Sequence, residues 1–331
     1  MDLKSYGIRR SLVNQASLSL GEEDIEKGTY EQGLFDKTFN LPSGKYRIER
    51  KLGEGSYGKI YEVMSEMTGD IYAVKAQKYE SQGEFQEMVH EAIVNILLEE
   101  SSRKSGPYVQ RFYEVAHDPL LHLVFMRMEV LDGTLGDLLY SNSIAKNDQV
   151  LPRLLIQLAT ILEFFQTHLG MNHRDLKSNN IMYTMVNGAP VVKLIDLGLT
   201  CMTYKGIHFG DSPLFPKTHT CNRKGRDLSF LLLELLLDFP DRMSPALYDT
   251  LRGLARITVK GKDCQLNRYC PQEGLVEWKN SYTFLNRPNV ENPQTSPAEV
   301  KKRMSAFLEK LKAPVVKKRR FTVRKRKNVL E

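Results

Sequence analysis

Six residues, Gly53-Glu-Gly-Ser-Tyr-Gly58, constrain the fold of this 331-residue chain more than any other stretch, because of what flanks them. The runs YRIERKL before and KIYEVMSE after both carry strand-like alternation, so the glycines join strand to strand. A dinucleotide-binding fold needs the third glycine to open a helix, and the flanks argue against that class. Lacking side chains, Gly53, Gly55 and Gly58 let the backbone curl closely over an anion and offer N–H groups to it. An isolated GxGxxG more often marks a plain hairpin, so the weight rests on its partner motifs further along the chain.

The chain continues as DIYAVKAQK after a turn at 67–70 (MTGD), giving three antiparallel strands. Ala73-Val74-Lys75 falls on the third, 22 residues beyond Gly53. Lys75 can reach phosphate oxygens, but a flexible ammonium needs an anionic partner to hold its position. A run with helical spacing at 85–98 supplies one: Glu91 is favoured over Glu87, one turn earlier. Met88, Ala92 or Ile93, and Ile96 mark the apolar face of that helix. Two further strands are expected at 108–115 and 121–128, after which EVLDG (129–133) leads out of the sheet. The pattern then turns helical at 151–168, 227–237 and 297–312. The last of these opens with Ser296-Pro-Ala-Glu299, a capping-box pattern with proline at the first helical position. Val300, Met304, Phe307, Leu308 and Leu311 form its apolar stripe.

His173-Arg-Asp-Leu-Lys-Ser-Asn-Asn180 follows the helical run 151–168 and precedes a short strand at 181–183. It holds three side chains that phosphoryl transfer needs. Asp175 can take the proton of an attacking hydroxyl, Lys177 can meet charge on the moving phosphate, and Asn180 can ligate a metal ion. Asp196-Leu-Gly198 comes after the apolar strand 191–195, where a carboxylate can bind magnesium bridging nucleotide phosphates. HRD alone is usually a surface ion pair, and DLG alone a common turn. Order and spacing lift these motifs above chance.

Taken together they resemble the eukaryotic protein kinase family, from about 45 to 237. The resemblance implies an α+β, bilobal fold: a small antiparallel-sheet lobe with one main helix, and a larger, mostly helical lobe with an abbreviated activation segment. It divides the chain into a polar extension (1–44), a first lobe (45–128), a hinge (129–133), a second lobe (134–312) and a basic tail (313–331). It implies ATP and Mg2+ (or Mn2+) as cofactors, and protein substrates with Ser or Thr acceptors, since Lys177 is the form seen in serine/threonine kinases. Asp175 would be the catalytic base, Lys177 a phosphate contact, Lys75 and Glu91 an ion pair, and Asn180 and Asp196 the metal ligands. Leu52, Gly53, Glu54, Gly55, Ser56, Tyr57, Gly58, Lys59 and Ile60 would cover the nucleotide. Ala73 and Met182 would enclose the adenine, Met128 would be the gatekeeper, and Glu129 and Leu131 would offer backbone groups. Asp227 resembles the buried aspartate that braces the catalytic loop. The compact second lobe and the tail are also similar to kinases of large nucleocytoplasmic DNA viruses.

The chain departs from the family after Asp196. No APE tripeptide occurs before Asp227, 31 residues on, so the segment that shapes a peptide groove is short. Arg174 goes, in the family, with a phosphorylated activation segment, and Thr200, Thr203, Tyr204, Ser212, Thr218 and Thr220 are available acceptors. Two other readings stay open: a pseudokinase or scaffold, and a small-molecule kinase of the choline or aminoglycoside type.

The net charge of +7 resides wholly in residues 317–331, which hold eight Lys/Arg and one Glu, leaving the body neutral. The run 317–327 (KKRRFTVRKRK) reads as a solvated tail, a nuclear-import signal, or a contact for nucleic acid or an acidic protein. Cys201, Cys221, Cys264 and Cys270 form no CxxC pair, and reduced thiols in an intracellular compartment are expected. The nucleus follows if the tail directs import, and virion or host cell if the viral resemblance holds. The longest apolar run, at 230–237, is too short to span a bilayer, so no membrane partner is expected.

Overall fold

Two short strands precede the first long patterned run: β1 (Val13–Gln15) and β2 (Thr38–Leu41). The computed structural model describes residues 13–15, 38–55, 58–210, 221, 225–255, 257–259, 262–264, 290–291 and 295–312. Ser56, Tyr57, Ser212, Thr218, Thr220, Cys270 and the tail lie outside the described residues. The expected three-stranded unit comprises β3 (Gly44–Gly55), β4 (Gly58–Ser65) and β5 (Ile71–Lys78). Helix α1 (Gln82–Ser102) follows, longer at both ends than its apolar spacing indicates. Ser81 starts it, its hydroxyl accepting the Glu84 N–H at 3.2 Å.

Strands β6 (Phe112–Asp118) and β7 (Leu123–Met128) complete a sheet of order β1-β6-β7-β5-β4-β3-β2. All neighbours are antiparallel except β1 and β6, which pair in parallel with Val13 opposite Val115. Both sheet edges are therefore made by strands from the first 44 residues. β4 alternates as a strand with one buried face should, and Tyr61 and Val63 join Phe39, Tyr46, Ile48 and Phe125 there. On the other face Met88 and Ala92 of α1 meet Ala73, Val124, Met126 and Met128.

The second lobe begins with β8 (Gly133–Thr134) and α2 (Leu135–Ser141), which Thr134 and Asp137 start as a reciprocal capping box. Helix α3 (Ile144–Leu169) ends on Gly170 at φ 56°. It is long and apolar enough to cross a membrane by length and composition. Here Leu151, Leu155, Leu158 and Phe165 are instead fully buried in the lobe's core. Next come β9 (Ile181–Val186), β10 (Ala189–Leu194), the pair β11 (Met202–Tyr204) and β12 (Ile207–Phe209), and α4 (Arg226–Asp238). Helix α5 (Pro245–Leu254) was not expected, yet Ser244-Pro245 repeats the start signal seen at 296–297. The short strands β13 (Ile257–Val259), β14 (Lys262–Cys264) and β15 (Val290–Glu291) form a separate sheet before α6 (Pro297–Lys312).

Val300, Met304 and Phe307 of α6 are buried, whereas Leu311 is 46% exposed and lies outside the stripe assigned to it. For α1 the departure runs the other way. Its Val89, Ile93, Val94, Leu97 and Leu98 join the second lobe's core while Met88 and Ala92 face the sheet. A helix packed on two sides has no single apolar face, and Ile96, assigned to that face, is only half-buried.

Candidate active site

Lys75 points from β5 toward α1, and its Nζ donates to both carboxylate oxygens of Glu91 at 2.8 Å. Glu91, not Glu87, is the partner. Both side chains are largely buried (15% and 10% exposed), so removing Lys75 would take from the buried Glu91 carboxylate the cation it is paired with. The register explains the placement: Lys75 lies opposite Met126 on β7, whose other neighbour is β6.

The loop 173–180 is fixed from beneath by α4. The Asp227 carboxylate accepts the backbone N–H of His173 and of Arg174 and the Asn172 side-chain amide, each at 3.0 Å. Arg174 sits at φ 71°, a conformation that a non-glycine residue holds only under such restraint. Within the loop, Asp175 Oδ2 accepts from Lys177 Nζ at 2.8 Å and from Asn180 Nδ2 at 2.9 Å. Asn180 Nδ2 also donates to the Asp175 carbonyl, so its own Oδ1 remains for another partner. A carboxylate held in this way can accept a proton from a hydroxyl brought to its free oxygen lobe.

Asp196 has φ 56°, also left-handed, and its side chain is exposed. Leu197 is fully buried behind it, while the preceding strand is tied to the loop by the Ile195 N–H bonding to the Asn180 carbonyl at 3.1 Å. Among the described residues no cluster of three His, Cys, Asp or Glu could hold a metal alone. Asp196 and the amide oxygen of Asn180 are hard oxygen donors, which suit Mg2+, an ion that leaves much of its shell to phosphates and water. The residues therefore fit the implied cation.

Ala73 pairs with Met128, and both are buried; Leu131 is buried, and Met182 and Ile60 are half-buried. Leu52 is 39% exposed at the rim. In the glycine loop, Gly58 has φ 155°, and a Cβ there would stand 2.2 Å from the Ala76 carbonyl oxygen. Nothing lies within 4 Å of a Cβ at Gly53, and Gly55 ends β3. Glu54 pairs with Lys51 at 2.5 Å in solvent, and Lys59 is buried. Glu129 is more engaged than its expected role implies. Its carboxylate meets Lys193 Nζ at 2.6 Å through both oxygens, and its N–H bonds to the Arg111 carbonyl. Its carbonyl accepts Gln110 Nε2 at 2.9 Å, leaving one lone pair for another donor.

Beyond Gly198 the chain forms the hairpin of β11 and β12, held to the catalytic loop by mutual backbone bonds between Asn172 and Cys201. Arg174 Nη1 donates to the Gly210 carbonyl at 2.5 Å. Thr200 is fully buried, unlike an accessible acceptor. His90 of α1 faces this segment; burial lowers its pKa, the Thr200 backbone opposes this, and Arg174 lowers it further. Cys201 and Cys221 form a disulfide with a Cα separation of 5.9 Å, which overturns the expectation of reduced thiols for this pair. Spacing in sequence carried no sign of it, because the two lie 20 residues apart with no CxxC pattern.

Sequence reasoning also missed Glu234. It lies in the apolar run of α4, is 5% exposed, and accepts the Ser178 N–H at 2.6 Å and the Ser178 hydroxyl at 2.7 Å. A lone carboxylate within SFLLLELLL was the available signal, since glutamate is rarely buried unpaired.

A curled sheet lobe over a helical lobe, with an ion-paired lysine and a restrained Asp-Lys-Asn loop between them, defines a phosphotransferase class. The protein kinase domain family matches residues 46–219, more than half of the chain, and the chain belongs to that family. It is 33% identical over 171 residues to the cell division control protein 2 homolog C of Antirrhinum majus, covering 47% of this chain and 52% of that one. It is 30% identical over 199 residues to an Aurora kinase of Candida glabrata, covering 59% and 50%. With calcium-dependent protein kinase 14 of Arabidopsis thaliana it shares 26% over 255 residues, 71% of this chain and 45% of that one. The chain thus spans about half the length of the curated relatives it matches.

Proposed function

We propose that this chain is a catalytically competent protein serine/threonine kinase that transfers the γ-phosphoryl group of ATP to Ser or Thr hydroxyls. The closed Lys75–Glu91 pair carries the reading, because a lysine so held is positioned for nucleotide phosphates without rearrangement. ATP and a divalent cation, when bound, supply the phosphoryl group and neutralise its charge. Asp196 and Asn180 are the residues to hold that cation. Asp175 accepts the proton as the acceptor oxygen bonds to phosphorus and the bond to ADP breaks, and Lys177 faces the equatorial oxygens. Gly53, Gly55 and Gly58 cover the phosphates, and Ala73, Met128, Leu131 and Met182 enclose the base.

Incubation of purified protein with Mg-ATP, followed by mass-spectrometric phosphosite mapping, tests this. The wild type is expected to phosphorylate itself or a basic substrate on Ser or Thr. Asp175→Asn is expected to lose about 10²-fold or more of that activity while retaining ATP binding. Undiminished turnover in the variant would sink the role assigned to Asp175. Turnover of a small alcohol with no peptide acceptor would favour a small-molecule kinase.

A further inference from the structure

Helix α4 carries two buried carboxylates, Asp227 and Glu234, seven residues apart and so on one face of the helix. Asp227 holds the start of the catalytic loop through the N–H groups of His173 and Arg174. Glu234 holds its far end through both donors of Ser178. Between these two points lie Asp175, the fully buried Leu176, and Lys177. Ser178 opens a short 3-10 turn, Ser178–Asn180, which its cap residue Lys177 does not cap through a side-chain bond. The first N–H of that turn has no partner within the turn. Glu234 supplies the missing acceptor, and the same turn delivers Asn180 to Asp175.

We infer that Glu234 is a positioning residue for phosphoryl transfer, fixing through Ser178 the turn that sets Asn180 against Asp175. The inference rests on the kinase reading and deepens it. Glu234 touches neither of the groups assigned to nucleotide or acceptor. Its effect passes through the loop, so it belongs in kcat and not in the ATP KM, which depends on Lys75, Glu91 and the glycine loop.

The geometry offers a compensating pair. Glu234→Leu leaves the Ser178 N–H and hydroxyl buried without an acceptor. Ser178→Pro removes both donors at once, and position 178 accepts proline on two counts. It is the first residue of a helical turn, where proline is favoured, and Lys177 before it is extended (φ −134°, ψ 167°), as a residue preceding proline must be. Glu234→Gln keeps a carbonyl oxygen for the N–H and an amide that the serine hydroxyl can face.

Steady-state kinetics of the full chain test this, with amide hydrogen exchange of residues 176–180 as a readout independent of turnover. Glu234→Leu is expected to lower kcat about tenfold or more, with ATP KM within about twofold, and to speed exchange at 178–180. Adding Ser178→Pro should bring kcat back to within about threefold of the wild type, and Glu234→Gln alone should stay within about threefold. The inference is overturned if folded Glu234→Leu keeps its kcat and its exchange rates, or if Ser178→Pro fails to rescue it. Should Glu234→Leu not fold, an active, folded double variant alongside a depressed Ser178→Pro single variant supports the pair, and an inactive double variant refutes it. A wild type without turnover defeats the kinase reading instead, and the exchange rates then decide the positioning of the turn alone.

Discussion

Asp227→Asn is the substitution whose cost can be worked most fully from the bonds. The carboxylate receives two donors on Oδ2, from His173 N–H and the Asn172 amide, and one on Oδ1, from the Arg174 N–H. An asparagine keeps most by placing its oxygen at the Oδ2 position. Its amide then faces the Arg174 N–H donor to donor, leaving a buried N–H unpaired at about 1–3 kcal/mol. The two surviving bonds lose their charge assistance, about 1 kcal/mol each. The total is about 3–5 kcal/mol, a large part of the ~5–15 kcal/mol that holds a domain folded. Urea unfolding of wild type and variant, read by fluorescence and circular dichroism, measures it. An expected companion is a loss of activity at fixed ATP, because Arg174 at φ 71° is released from the restraint that keeps it there. A measured loss below about 1 kcal/mol would refute the reasoning, since it would mean that these three bonds do not hold the loop.

The glycine loop gives a paired prediction. Gly58→Ala should cost about 1–3 kcal/mol in thermal or urea unfolding and weaken ATP binding, because its Cβ meets the Ala76 carbonyl; Gly53→Ala should change stability little. Burial raises the pKa of Glu234 above its ordinary 4.5, and its bonds with Ser178 only partly oppose this. The folded state then holds that proton more tightly than the unfolded chain does. This contribution is fully present below about pH 4.5 and is lost as pH rises through the raised value. The stability difference between wild type and Glu234→Gln should therefore fall from pH 5 toward pH 8 in urea titrations, and a rising difference would contradict the assignment. Reducing the Cys201–Cys221 bond, which closes a loop across 20 residues, should lower stability by about 3 kcal/mol, measured by unfolding with and without dithiothreitol.

Much of the site is readable in the sequence because its motifs depend on local chemistry. A glycine at 58 is demanded by one close approach, Lys75 and Glu91 by their places on a strand and a helix, and the start of α6 by Ser296 and Pro297. The rest depends on contacts distant in sequence. The Cys201–Cys221 bond joins residues 20 apart, and α1 loses its single face because a second lobe packs against it. Glu234 is in sequence only an interruption in an apolar helix, and it gains a purpose when Ser178, 56 residues earlier, comes to lie on it. Glu129 is legible for its backbone alone, yet its carboxylate belongs to Lys193, 64 residues on.

The parallel pairing of β1 with β6 sets an order of events during synthesis. Val13 leaves the ribosome about a hundred residues before Val115, its partner, so this edge of the sheet cannot close until β6 has been made. Until then the outer backbone groups of β6 present an open template for any extended segment nearby. A fusion or truncation at the beginning of the chain would therefore act on solubility during folding, at a site remote from the catalytic loop.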